Sequence, residues 1–420
     1  MEIRDFQIDA YCKLINGQSV LIIAPTGIGK TRAALAPFTR SQSQNGLLGT
    51  RLIYALPLRA LARGVEEECK ELRISAVIHH GDEPESQFFS ERVVITTIDQ
   101  YLTAFAGAPL SWASHLSHAA AGAVLTSYSV FDEVHLLSPQ RGLQLLFAML
   151  YLRKRWGLLS CVMTATLPPS VIEFFREYCG LVVIKASESD IEQRDSWRKV
   201  YLQLEGSKDK GEFKWDEKDE KSLAEFVKDK WDNWRDLGVD GLQKVIVFVN
   251  TVDRAIRVYD ELRVLFQNQG GLEVILAHSR FTEDDRRNVE DKLTEFFGKN
   301  SRSDPAILVT TQVAEAGLNI SAPLVITELC PMDSLIQRAG RCQRFKPDGS
   351  QELNGKVIVL KPAGDKWYVP YSDEVHLVEV SQDKKGKEKR NTSEWLPAIE
   401  FTQIVLEMEA GNQELLLNWQ

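Results

Sequence analysis

The six cysteines of this chain (Cys12, Cys69, Cys161, Cys179, Cys330 and Cys342) form no CxxC pair and follow no regular spacing. That excludes a disulfide framework and a zinc ribbon, and leaves reduced, mostly core thiols. Long apolar runs are also lacking: "SVLIIA" and "QLLFAMLYL" are too short or too interrupted for a membrane span. The chain does not open on a basic region followed by an apolar stretch and a cleavage site, so a cytoplasmic address with no membrane partner is expected. Positive charge is in deficit, with 50 Lys and Arg against 59 Asp and Glu and a net charge of −9. A protein that coats nucleic acid by bulk attraction is thereby excluded, because nonspecific affinity comes from many cations facing phosphates. Any nucleic-acid contact has to be local, in a groove.

What is present is an ordinary globular composition, 44% apolar and 26% charged over 420 residues, enough for about two or three packed domains. Short β-rich runs alternate with helical patterns in the first half: "SVLIIA", "RLIYAL", "SAVIH", "RVVITT", "YSVFDE" and "CVMTAT". A second series runs "VYLQL", "KVIVFV", "LEVILAH", "AILVTT", "LVITEL" and "KVIVLK". Such alternation predicts an α/β fold, two tandem parallel-sheet units covered by helices. The expected boundaries are 1–190, 191–365 and a small C-terminal appendage, 366–420, which carries the helical candidate "EWLPAIEFTQIVLEMEA". Between the units, "ASESDIEQRDSWRK" reads as a solvated linker and "EGSKDKGEFKWDEKDEKS" as a charged surface insertion.

The chemistry-bearing stretch is "APTGIGKT", residues 24–31, between a strand and a helix. Ala24, Pro25, Thr26, Gly27, Ile28 and Gly29 form a loop at a helix N-terminus whose backbone N–H groups, all but the missing one of proline, cradle phosphates. Lys30 would reach the β and γ oxygens of ATP and the Thr31 hydroxyl would ligate Mg2+. Farther along, "VFDEVH" ends a strand in two carboxylates. Asp132 would hold magnesium through water, and Glu133 would polarise the attacking water. In "QRAGRCQR", Gln337, Arg341 and Arg344 are catalytic candidates; the two arginines, three apart, are expected on one helix face as arginine fingers from the second unit.

These motifs, over roughly residues 4–346, resemble the superfamily-two helicases, whose two RecA-like domains sandwich ATP. Gln7 in "RDFQIDA" resembles the adenine-reading glutamine, and Gly317 and Asn319 of "EAGLNI" fall at the nucleotide, with Asn319 where the family usually has Asp. "ALPLRALA" and "TTIDQYL" supply Arg59 and Thr97, and "HSRFTEDDRR" and "TTQVAEAGLNI" supply Arg280 and Thr311, as backbone-phosphate contacts. Thr164, Ala165 and Thr166 ("TAT") resemble the motif that couples hydrolysis to domain movement. The combination of "DEVH", "TTIDQ", "HSRF" and "QRAGRCQR" is most similar to the effector helicase of type I CRISPR systems. That resemblance implies a motor recruited to an R-loop by the Cascade surveillance complex, moving 3′ to 5′ on single-stranded DNA. Other members of the superfamily, an RNA helicase or a DNA-repair translocase, share the architecture, and an ATP switch that never travels is the reading from another class.

The effector helicase commonly carries a histidine–aspartate nuclease domain ahead of the motor. Gln7 stands close to the first residue of this chain, so the nuclease is expected on a separate polypeptide. "HHGD", residues 79–82, offers metal-ligand types, yet it follows a strand pattern inside the first unit with no matching histidine cluster, and reads as a structural loop.

Overall fold

The structure, a computed structural model, describes residues 3–41, 48–81, 88–108, 117–138, 140–209, 212–315, 318–346, 352–364, 368–371, 374–382, 388–409 and 414–417. It divides into two compact units, one through Asp195 and one from Ser196 to Asn418.

The first unit alternates α1 (Asp5–Ile15), β1 (Val20–Ile23), α2 (Lys30–Ser41), β2 (Arg51–Leu56), α3 (Ala62–Glu71), β3 (Val77–His79), β4 (Val93–Thr97), α4 (Ile98–Phe105), α5 (Ser117–Leu125), β5 (Ser127–Phe131), α6 (Gly142–Arg155), β6 (Ser160–Thr164), α7 (Pro169–Glu177), β7 (Val182–Lys185) and α8 (Glu188–Asp195). The seven strands pair in parallel in the order β3-β4-β2-β5-β6-β1-β7. Central strands such as β4 and β6 are buried along their whole length, as a parallel sheet covered on both faces requires. One core holds Phe6, Leu14, Leu35, Phe38 and Val65 against Tyr54 and Tyr128; the other holds Tyr101, Leu146, Met149 and Phe175 against Ile53 and Phe131. Ligands of open α/β sheets gather at the carboxyl ends of the strands, and the motifs lie there, after β1, β2, β4, β5 and β6.

The second unit begins with β8 (Arg198–Leu204), β9 (Gly206–Asp209), β10 (Glu212–Trp215), β11 (Glu217–Lys218), α9 (Glu220–Asp232), β12 (Lys244–Phe248), α10 (Val252–Leu265), β13 (Glu273–Ala277), α11 (Glu283–Phe297) and β14 (Ala306–Thr310). It continues with β15 (Leu324–Glu328), α12 (Met332–Ala339), β16 (Leu353–Pro362), β17 (Glu374–Gln382), β18 (Glu388–Pro397), α13 (Ala398–Glu409) and β19 (Glu414–Leu416). Its main sheet runs β13-β14-β12-β15-β16-β8-β19, with β11 also beside β16 and only β19 antiparallel in that path. β17 and β18 pair as an antiparallel ribbon.

Three segments depart from the sequence reading. The supposed linker folds as α8, entered through a reciprocal cap in which Ser187 N donates to Asp190 Oδ2 (3.0 Å) and Asp190 N to Ser187 Oγ (3.1 Å). The charged insertion is the β9–β10 ribbon, where alternation was hidden by charge: Lys214 pairs with Asp209 at 2.7 Å while Phe213 and Trp215 meet edge to face. In the C-terminal segment, β19 extends the second sheet, and Trp215 Nε1 donates to Glu407 of α13 at 2.8 Å. No helix among the described residues is long and apolar enough to cross a membrane.

Candidate nucleotide site

The phosphate loop runs from the sheet of the first unit into a helix. Ala24 N donates to Thr164 O (3.1 Å), and α2 starts at Lys30. Gly27 and Gly29 have φ of +76° and +98°, where a side chain is strained. A Cβ on Gly29 would also lie 2.6 Å from Gln7 Nε2, so the loop and Gln7 are fitted to each other. Gln7 Nε2 donates to Gly29 O (3.0 Å), its Oε1 accepts from Arg4 N (3.0 Å), and the Arg4 guanidinium donates to Ile28 O. Lys30 is only 6% exposed; its Nζ donates to Ala24 O at 3.0 Å and stands 3.4 Å from Glu133 Oε1.

Asp132 follows β5 and is equally buried. Its Oδ1 accepts from Glu133 N (2.8 Å) and its Oδ2 from the Tyr54 hydroxyl (2.6 Å). Burial first, then the Glu133 charge, pushes Asp132 up to about 6 against the opposing pull of Lys30 and Tyr54. Glu133 adopts a left-handed backbone, φ 49° and ψ 41°, an uncommon conformation for a residue with a side chain. His135 Nδ1 lies 3.1 Å from Thr164 Oγ1 and 3.4 Å from Glu133 Oε2, and Thr164 Oγ1 donates to Thr166 O at 2.9 Å. "DEVH" and "TAT" are therefore joined by hydrogen bonds, with Ala165 between the two threonines. The sequence reading missed Tyr54 and His135. Tyr54 is fully buried on β2, bonded to Asp132 and within reach of the Thr31 hydroxyl, and burial together with the Asp132 charge keeps its proton on.

The side chains present fit a magnesium ion that takes most of its ligands from phosphate and water. Thr31 and Asp132 offer hard oxygens beside the loop, and among the described residues no three His, Cys, Asp or Glu side chains converge as a self-sufficient metal site. His79 and His80 are buried: His79 meets Phe89 edge to face, its carbonyl accepts from Thr96 Oγ1 (2.7 Å), and burial, then His80, lowers its pKa. Asp82 lies outside the described residues, as does Gly317.

In the second unit the "QRAGRCQR" expectation needs correction. α12 ends at Ala339, with Gly340 as its cap, so Arg341 and Arg344 do not share a helix face. A bridge between Ala322 and Cys342 draws the chain away, and Gln343 takes φ 46° while its amide donates to Asp240 O (2.6 Å) and Asn354 O (2.9 Å). Arg341 is 4% exposed and donates to Ala314 O (3.0 Å), Leu318 O (2.6 Å) and Glu315 O. Arg344 and Gln337 are half-buried, and Asn319 is exposed. Arg338 is wholly buried and holds Glu315 Oε1 through Nε (2.8 Å) and Nη2 (2.7 Å).

The four strand-contact candidates separate by type. Arg59 is exposed and lies over Gly81, where a Cβ would be 2.9 Å from its Nη2. Arg280 is also exposed and pairs with Asp253 at 2.5 Å. Thr97 caps α4, accepting from Gln100 N at 3.4 Å, and Thr97 and Thr311 are both buried.

A phosphate loop, a strand-end Asp-Glu pair and a second parallel-sheet unit bearing "QRAGR" are features of the superfamily-two helicases of the DEAD/DEAH-box class. The family model for the DEAD/DEAH box helicase matches residues 4–174, and that for the C-terminal part of the CRISPR-associated nuclease/helicase Cas3 matches 241–347. Within the class, the chain is similar to the Cas3 helicases. A putative CRISPR-associated nuclease/helicase Cas3 of Methanocaldococcus jannaschii is 27% identical over 85% of this chain and 48% of that protein. The Cas3 of Streptococcus thermophilus is 27% identical over 80% and 40%. The chain thus spans about half the length of the curated relatives it matches. In fold it is similar to T. fusca Cas3 crystallised with ATP (TM-score 0.63, 21% identity, 88% of this chain and 48% of that one). It is also similar to a chain of a CRISPR RNA-guided surveillance complex in a pre-nicking state (TM-score 0.64, 20% identity, 99% and 49%).

Proposed function

We propose that this chain is a cytoplasmic ATP-dependent motor of a type I CRISPR interference system, moving 3′ to 5′ along single-stranded DNA at a Cascade R-loop. The observation that carries the motor is the continuous path of close polar contacts Lys30–Glu133–His135–Thr164–Thr166, the last two of them hydrogen bonds, which joins the phosphate loop to "DEVH" and "TAT" at the ends of neighbouring strands. Lys30 neutralises the β and γ oxygens of ATP, and the Glu133 carboxylate orients and deprotonates the attacking water. Bound magnesium would supply charge neutralisation on the phosphates, with Thr31 and Asp132 as the side chains that hold it. Arg341 and Arg344 keep their role as arginine fingers in this reading. Arg59 and Arg280, the two exposed cations of the strand-contact set, grip DNA phosphates and read no sequence. Recruitment by a surveillance complex is supported by the likeness to a chain of such a complex.

A tailed-duplex assay tests the reading. Unwinding of a 3′-tailed duplex with ATP and Mg2+, in preference to a 5′-tailed one, and without cleavage of the single strand, is expected. ATP hydrolysis with no strand displacement on either substrate would favour the switch reading. Cleavage that disappears on mutating His79 and His80 would place a nuclease in this chain.

A further inference from the structure

Tyr371 lies outside every helicase motif, in the short turn 368–371 beyond β16, yet its hydroxyl sits inside the buried network of the second unit. The oxygen accepts from Arg338 Nη2 (2.9 Å) and from Gln312 Nε2 (3.0 Å). Gln312 adjoins Thr311, and Arg338 lies three residues before Arg341. The same two donors reach Asn250 at the end of β12: Gln312 Nε2 donates to its backbone carbonyl (3.0 Å) and Arg338 Nη1 to its Oδ1 (3.2 Å). Residues 312–315 and Leu318 are thus gripped by Arg338 through Glu315, by Arg341 through three carbonyls, and by Tyr371 through Gln312.

We infer that Tyr371 is a positioning residue that couples the strand-holding stretch at Thr311–Gln312 to the nucleotide-side stretch at Arg338–Arg344. The inference rests on the motor reading above. A hydroxyl that accepts from both stretches fixes their spacing, so a shift in one is passed to the other. Removing it takes one N–H partner from each donor but orphans neither nitrogen: Arg338 Nη2 keeps Glu315 at 2.7 Å, and Gln312 Nε2 keeps the Asn250 carbonyl. The fold should therefore survive while the linkage loosens.

Coupling between two ligands is a ratio of affinities and is reciprocal, which provides a readout that a purely structural role would not move. The affinity of the full chain for a fluorescent oligo(dT) strand is measured with Mg2+, with and without AMPPNP, in wild type and Tyr371→Phe, at a temperature where circular dichroism shows both folded. The wild-type ratio differs from one. In Tyr371→Phe it moves towards one by about fivefold, the ordinary net worth of a hydrogen bond, while AMPPNP affinity in the absence of DNA is unchanged. Gln312→Met, which removes the other partner at similar volume, lowers the ratio in the same direction. An undiminished ratio in both variants overturns the inference and leaves the motor reading standing. A wild-type ratio of one, with ATPase unmoved by DNA, removes the motor reading and the inference with it.

Discussion

Replacing Asp132 with Asn should make the ligand-free protein more stable, and only above a definite pH. The carboxyl is buried beside Glu133, which pushes it from an ordinary 3.8 up to about 6. Because the folded-state value lies above the unfolded one, Asp132 contributes fully to stability below about pH 4 and loses that contribution as pH rises through about 6. A shift of about two units corresponds to about 3 kcal/mol, a ceiling for what the ionised side chain withholds from the fold at pH 8. Asn escapes that cost and stays satisfied: its Oδ1 can accept from Glu133 N, and its Nδ2 can donate to a rotated Tyr54 hydroxyl. Urea midpoints in EDTA at pH 4, 6 and 8 should show Asp132→Asn ahead at pH 8 and level with wild type at pH 4. Saturating ATP and Mg2+ should reverse the order, since only the carboxylate gains from the bound cation. A gap independent of pH, or wild type ahead at pH 8 without ligand, would refute the reasoning.

Lys30→Ala should stay folded and lose productive ATP use, whereas Glu133→Gln should keep ATP affinity and lose hydrolysis; normal turnover in the first, or lost affinity in the second, contradicts the roles assigned. Arg344→Ala should slow hydrolysis by roughly 10³-fold or more at nearly unchanged melting temperature, as removal of an arginine finger does. Arg341→Ala should do the same and also lower the melting temperature, because three carbonyls lose their donor. Equal melting of the two variants would show that the Arg341 contacts carry no stability. Arg59→Ala and Arg280→Ala should each reduce the salt dependence of single-stranded DNA binding by about one unit of slope, with nucleotide affinity intact. Unchanged slopes would move the DNA groove elsewhere.

The parallel sheets were legible because their central strands are continuous apolar runs, and "RLIYAL", "AILVTT" and "LVITEL" became β2, β14 and β15. The phosphate loop was legible for a similar reason: its chemistry is local, set by Gly27, Gly29 and Lys30 within one turn. Tyr54 was hidden in plain sight, a phenol in an otherwise aliphatic central strand, and a buried phenol needs a polar partner. That partner, Asp132, is remote in sequence. The end of α12 depended on an equally remote contact, the Ala322–Cys342 bridge, so the spacing of Arg341 and Arg344 alone could not place them. α8 was legible after all, since Ser187 and Asp190 stand at the capping-box spacing.

The central claim is that hydrolysis at Lys30 and Glu133 serves movement on DNA. Steady-state ATPase with Mg2+, with and without single-stranded DNA, in wild type and Glu133→Gln, tests it most directly. The account predicts turnover strongly stimulated by DNA, more than by RNA of the same length, and abolished in both conditions by Glu133→Gln. Turnover indifferent to DNA, or surviving in Glu133→Gln, would contradict it.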